Sequence, residues 1–250
     1  MQGDERPPYL AAAVAGLAAF ALYALTLAPT TAFWDASEYI ATAHTVGIPH
    51  PPGNPLFVIL GRVWSLALAP LGLPVAVRVN LLAAATSAAG TGLFFLVAHR
   101  VLRGFAAGRN FALVGAGAAA LLGATAFTVW NQSNVNEKVY TLSVAIIALV
   151  TWLAVRWRDV RHLPGSERYL LAIVFLLALG STNHLMSVLP APAVMVLVLA
   201  SGPRRFLSAA FLGRAALLGV LGLSFNFVRP LRAEQNPVIN EGDPTCETLG

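Results

Sequence analysis

The amino-acid sequence predicts an all-α polytopic membrane protein, and three observations carry that prediction. Hydrophobic residues make up 57% of the 250 and charged residues only 11%, where soluble domains carry about 25% charged residues. Apolar runs recur along the whole length of the chain. The basic residues, 15 arginines and Lys138, gather mainly in short loops between those runs, as the positive-inside rule expects of a chain threaded through a bilayer. The net charge of +5 is therefore a topology signal. No stretch joins a basic patch to a nucleic-acid motif, so nucleic acid is not an expected partner. Cys246 is the single cysteine, which excludes an intrachain disulfide and a cysteine-based metal cluster.

The first apolar run, Tyr9 to Ala28, follows the charged Asp4, Glu5 and Arg6. It is too long for a signal-peptide core and lacks a convincing cleavage site, so it reads as a retained first span. Further spans are expected at 79–98, 111–130, 139–155, 169–183, 187–201 and 208–228, given that about 20 apolar residues cross a bilayer core. Seven spans result. Segment 55–69 is hydrophobic but carries Arg62, and as a helix it covers about 22 Å, short of the roughly 30 Å core.

Charge parity decides how that segment lies. Arg100, Arg103 and Arg109 share one loop, Arg156, Arg158, Arg161 and Arg168 the next but one, and Arg204 and Arg205 a third. If these loops and Arg6 are all cytoplasmic, an odd number of crossings between 29 and 78 is forbidden. Segment 55–69 is then an interfacial helix, with Arg62 and Ser65 on one side and Arg62 reaching to water or phosphate. The organisation expected is a first span (1–28), an external catalytic loop (29–78), the remaining spans (79–228) and an external loop or truncated tail (229–250). The amino terminus is cytoplasmic. Ten of the sixteen basic residues fall inside, Arg214 lies in the last span, and seven of the eleven acids, including Asp35, Glu38, Glu137 and Asp243, fall outside. Chemistry is expected on the external face.

Small-residue runs such as Ala11–Ala13 and Gly115–Ala120 suit close helix packing. There is no convincing internal repeat, so a transporter built of paired halves has no support. The tail from Arg229 is polar, rich in proline and without periodicity, and it reads as a piece of a longer chain.

The external face supplies the candidate residues. Asp35 and Glu38 have the spacing of a capping box, and equally of a general base (Asp35) with a second carboxylate (Glu38) that orients the attacking hydroxyl. His50-Pro51-Pro52-Gly53 is a stiff turn or a mount from which His50 donates to a phosphate oxygen. Arg78 is a snorkelling anchor or a fork for two phosphate oxygens. Glu137 and Lys138 form a local pair, or Glu137 brings a second acid level with Asp35. Asn183-His184 reads as a helix end. Arg229 and Arg232 suit a lipid phosphate or an anchor for the final span.

The order of these residues resembles a known family. Trp34-Asp35, Glu38-Tyr39, His50-Pro51-Pro52-Gly53 with Pro55-Leu56-Phe57, and Arg78 opening the second span resemble the first external loop of the GT-C superfamily of membrane glycosyltransferases. The likeness is greatest to the branch of transmembrane protein O-mannosyltransferases acting on plexin-like domains and their bacterial relatives. Glu137 to Leu142, Asn183 to Met186, Asn236-Pro237 and Gly242-Asp243-Pro244 are similar to later segments of that branch. The resemblance implies a GT-C-like helical bundle and an inverting transferase that moves a sugar, expected to be mannose, from a polyprenyl-phosphate donor to a protein hydroxyl. It implies Asp35 as the base, Glu137 as a second acid near the donor phosphate or the acceptor, and His50, Arg78 and Arg229 in contact with phosphate, while Glu38 stands as the second catalytic candidate on the spacing alone. Tyr39, Lys138, Tyr140, His184 and Asp243 stand on the acceptor side or in support.

The partners implied are the lipid-linked sugar, an acceptor protein or peptide, and membrane lipid. The location implied is a bacterial inner membrane with the site facing the periplasm. Asp35, Glu137 and Asp243 leave room for Mg²⁺ or Mn²⁺, though no spacing demands a metal. A flippase for a lipid-linked precursor and a noncatalytic membrane subunit are the competing readings.

Overall fold

The structure is a computed structural model that describes residues 6–32, 34–105, 108–135, 139–202 and 208–242. Its regular elements are helices: α1 (Tyr9–Leu25), α2 (Ala36–Thr45), α3 (Pro55–Ala67), α4 (Val75–Gly104), α5 (Arg109–Thr125), α6 (Phe127–Asn134), α7 (Tyr140–Val160), α8 (Glu167–Ser181), α9 (Ala191–Ala200), α10 (Ala209–Leu223) and α11 (Val228–Ala233). Extended pairing among the described residues is confined to one isolated bridge, Ile48 with Asn240. All-α is therefore the observed class.

Helices α4 and α7 and the continuous stretch Ala209–Ala233 are long and apolar enough to cross a membrane, and α5 with α6 makes a fourth candidate bent by 64°. Several expected boundaries shift. The expected span 79–98 is a longer helix of 30 residues, because after Pro74 nothing in the sequence stops it before Gly104. The expected straight span 111–130 is broken at Ala126, where ψ is 132° and the backbone turns extended. Segment 187–201 keeps only a ten-residue α-helix, α9, behind a 3-10 turn at Leu185–Val188. The tail is helical through Ala233, where irregular chain was expected from Arg229.

The side-chain register fixes how the helices run. Gly16 meets Ala88 and Gly92 meets Ala12, so α1 is antiparallel to α4. A Cβ on Gly92 would sit 2.9 Å from the Ala12 carbonyl oxygen, so this crossing needs glycine and brings the two backbones together. Gly90 faces Ala145 and Arg100 pairs with Asp159, so α4 and α7 are parallel. Gly180 packs on Ile146, and Gly222 on Ala178, placing α8 antiparallel to α7 and parallel to α10. Arg214, expected within the last span, reaches Glu167 at 3.4 Å and so belongs to the end of the bundle where α8 begins.

The two ends of the bundle differ in charge. One end gathers Arg6, Arg100, Arg109, Arg156, Arg158, Arg161 and Arg168 on the termini of α1, α4, α5, α7 and α8. The other holds α2, α3, the turn at 50–54, the start of α7, the end of α8 and α11. The largest core cluster runs along the bundle, and at this second end Tyr39, Phe57 and Val58 of the first loop pack with Val79 of α4 and with Val139, Leu142 and Ile146.

Candidate active site

Helix α2 is held from outside by arginines. Arg62 donates to the His44 carbonyl, and Arg232 donates to the Val46 carbonyl at 2.7 Å and the Thr45 carbonyl at 3.2 Å. A helix leaves its last four carbonyls without internal donors, and cations there offset both that loss and the negative end of the macrodipole. Arg62 is thus bound to the protein, where solvent or phosphate was expected.

At the start of α2 the capping box does not form. Asp35 occupies the N-cap without a side-chain cap bond. The Glu38 carboxylate instead accepts from the His50 amide at 2.6 Å and lies 2.9 Å from His50 Nδ1. This contact ties α2 to the His-Pro-Pro-Gly turn. The turn is closed by Gly53 N–H donating to the His50 carbonyl at 2.9 Å, with a cis bond between Pro51 and Pro52 and Gly53 at φ 82°.

Arg229 reaches the same turn from 177 positions away, Nη1 donating to the Pro52 carbonyl at 2.7 Å. Its aliphatic stem lies where a side chain on Gly53 would be: a Cβ there would stand 2.7 Å from Arg229 Cδ. The chain after α11 adds a backbone clasp, with Ile48 N–H donating to Ile239 O and Glu241 N–H to Ile48 O, both at 2.9 Å.

A buried polar ladder continues inward. Tyr39, 3% exposed, donates its hydroxyl to Asn54 Oδ1 at 3.0 Å, and its ring lies edge-on to His50 and Phe57. Asn54 Nδ2 donates to the Asn183 carbonyl, while Asn183 Nδ2 donates to Val139 O and Ser143 Oγ at 2.9 and 2.8 Å. Asn54 sits at φ 37°, ψ 54°, a left-handed conformation that asparagine tolerates better than most residues. Burial raises the Tyr39 phenol above its ordinary pKa, and the charges of Glu38, Asp35 and Tyr140 add to the shift. Tyr39 is thereby kept neutral, as its donation to Asn54 requires. His184 accepts the Met186 N–H at Nδ1, 3.1 Å, and its ring meets Tyr140 edge-on at 5.4 Å.

Eight of the residues singled out in the sequence therefore share one end of the bundle: Asp35, Glu38, Tyr39, His50, Arg78, Tyr140, His184 and Arg229. Arg78, at the start of α4, is held by α3 at the same end, donating to the Ser65 carbonyl at 2.8 Å while its own carbonyl accepts from Trp64 Nε1 at 2.9 Å. Glu137, Lys138 and Asp243 lie outside the described residues. Asn54 was not legible as part of the site, and Asn183 was legible only as a helix end. The usable signal was an asparagine before a helix-opening proline, Asn54-Pro55, and a second asparagine, Asn183, closing an apolar run.

Asp35, Glu38 and His50 offer ligand atoms all within 4.8 Å of one another. Two carboxylates and an imidazole suit Mn²⁺ better than Mg²⁺, which favours oxygen alone.

Residues 35–206, more than half of the chain, match the family described as the protein O-mannosyl-transferase TMEM260 N-terminal domain. The chain belongs to this family. The match to the TMEM260 N-terminal domain begins at Asp35 itself and takes in the first loop, the turn and the asparagine ladder as far as Asn183. Two curated relatives are similar to the chain. A protein O-mannosyl-transferase tmem260 of Dictyostelium discoideum is 25% identical over 81% of this chain and 25% of its own length. A protein O-mannosyl-transferase TMEM260 of Mus musculus is 32% identical over 56% of this chain and 18% of its own. The matched region thus spans a quarter or less of those relatives. No solved structure matches the chain.

Proposed function

We propose that this TMEM260 N-terminal domain is the membrane-embedded, GT-C-like part of an inverting glycosyltransferase, which moves mannose from a polyprenyl-phosphate donor to a protein hydroxyl on the external face. One observation carries the reading. Asp35 stands beside a Glu38–His50 pair on a turn clasped by Arg229, so an acid and phosphate-seeking groups meet at the end of the bundle opposite its basic loops. The names of the two relatives support mannose and a protein acceptor.

In this reading α1, α4, α5 with α6, α7, α8, α9 and α10 are the seven crossing segments, and α2 and α3 form the interfacial part of an external loop. The alternating directions of the paired helices and the arginine-rich opposite end favour that orientation. It places the amino terminus in the cytoplasm and, in a bacterial inner membrane, the site in the periplasm.

Asp35 takes the proton from the acceptor hydroxyl as the oxygen attacks the anomeric carbon. The bond to the lipid phosphate breaks on the opposite face, inverting the configuration, and cationic donors offset the charge growing on the leaving oxygens. Glu38 fixes the His50 ring through Nδ1; donation from Nε2 to a phosphate then needs a second proton on the ring. Arg229 lies against the same turn. Arg78 and Glu137 are kept as donor-side groups, with Lys138, Tyr140, His184 and Asp243 toward the acceptor. A divalent cation, if bound, would be held by Asp35, Glu38 and His50 and would supply charge neutralisation at phosphate.

Proteoliposomes test the reaction class. Transfer of labelled mannose from a polyprenyl-phosphate donor to a peptide is expected. Movement of the lipid across the bilayer without transfer would instead identify a flippase, and neither activity would identify a noncatalytic subunit.

A further inference from the structure

At the end of the bundle opposite Asp35, a cleft of about 680 Å³ separates the last turns of α4 and α7, with Arg100, Val101, Phe105, Arg158, Asp159 and Arg161 among its lining. We infer that this cleft is a binding site for the head group of an anionic phospholipid.

Depth is the first support. At 30 residues, α4 is about 45 Å long, some 15 Å more than a hydrocarbon core needs. Its last turns therefore stand at the level of lipid phosphates. Charge is the second. Asp159 is already shared, meeting Arg100 at 2.8 Å and Arg156 at 3.5 Å. The three arginines of the lining outnumber its single carboxylate, which leaves two net positive charges. Two helix C-termini at about −0.5 each reduce that surplus without cancelling it. An arginine set that only neutralised helix ends would leave no excess.

The wall beside these arginines is apolar and open to the membrane. Val101 is 51% and Phe105 80% exposed, so acyl chains would pass along α4 while the phosphate meets the guanidinium groups. Arginine suits such an oxyanion because its planar fork gives two parallel hydrogen bonds, and basic clefts between membrane helices on the positive side hold anionic head groups.

Native mass spectrometry of the full chain in detergent tests the site, using short-chain phosphatidylglycerol and, separately, phosphatidylcholine. Phosphatidylglycerol is expected to bind at least about tenfold tighter, with each arginine contributing about fivefold. The Arg158→Gln/Arg161→Gln variant is expected to abolish the preference. Equal retention of the two lipids, or an undiminished preference in the double variant, would overturn the proposal. Arg158→Gln alone, at an exposed position, keeps the test readable should the double variant fail to fold, and a loss of about fivefold is then expected. Glycerol-3-phosphate binding as tightly as the lipid would mark a site for soluble anions and reject the lipid. This outcome is independent of the transferase reading, since none of the variants lies near Asp35.

Discussion

Asn54 donates its side-chain amide to the backbone carbonyl of Asn183, 129 positions away, and so joins the first loop to the break between α8 and α9. Both residues are buried, at 1% and 0% exposure. Asn54 also accepts from Tyr39, which makes its side chain a buried link between α2 and the bundle. Asn54→Ala removes two buried hydrogen bonds and leaves two partners unsatisfied, at a cost of about 1–3 kcal/mol for each. The check is thermal unfolding in detergent, where a clear fall in Tm is expected; a Tm within about a degree of wild type would show that the link carries no weight.

Tyr39→Phe removes the donor to Asn54 and is expected to destabilise by about 1–3 kcal/mol near neutral pH. Its second effect depends on alkali. The raised phenol pKa in the folded state means that above the ordinary value of about 10 the unfolded chain releases a proton that the folded chain retains. Stability from this group is thus complete below about pH 10 and is lost as pH rises toward the folded value. Wild type should show a steeper decline of Tm between about pH 9.5 and 11 than Tyr39→Phe; parallel curves would contradict the buried phenol.

Much of this architecture is legible in the sequence. The helical class follows from apolar content, and α3 falls inside the expected 55–69, opened by the proline that tolerates a first helical position. The gathering of Asp35, Glu38 and His50 was anticipated from motif order. The partner choices were not. Asp-x-x-Glu spacing fits a capping box and a cross-loop contact equally, and only the fold brings the His50 amide to Glu38. Arg62 and Arg232 were legible as charges near an interface, but their targets are carbonyls exposed by the end of α2, which no local pattern announces. The break at Ala126 comes three residues after Gly123, whose carbonyl accepts the Ala126 N–H, but a lone glycine inside an apolar run is tolerated in a helix and does not announce it.

Gly53→Ala introduces a Cβ 2.7 Å from Arg229 Cδ at a backbone φ of 82°. Left-handed backbone costs a non-glycine residue about 1–2 kcal/mol before any clash. Thermal unfolding of Gly53→Ala, Arg229→Ala and the double variant should show coupling: removing the arginine stem relieves the clash but not the backbone cost. Strict additivity would mean that the stem does not pack on the turn.

Glu38→Gln keeps the shape of the side chain and removes the charge facing His50. A hydrogen bond to a charged group contributes about 1.5–3 kcal/mol, so kcat/KM for mannosyl transfer is expected to fall by about tenfold or more. The loss should fall mainly on KM for the lipid donor if His50 positions its phosphate. An unchanged donor KM with a lowered kcat would move Glu38 to the acceptor side.

The central claim is that Asp35 removes the acceptor proton. Single-turnover transfer of labelled mannose in proteoliposomes, comparing wild type with Asp35→Asn under saturating donor, measures it most directly. General-base catalysis contributes about 10²–10⁴-fold, so the account predicts a rate loss of that size with donor binding retained and Tm unchanged. Transfer within a few fold of wild type would contradict it.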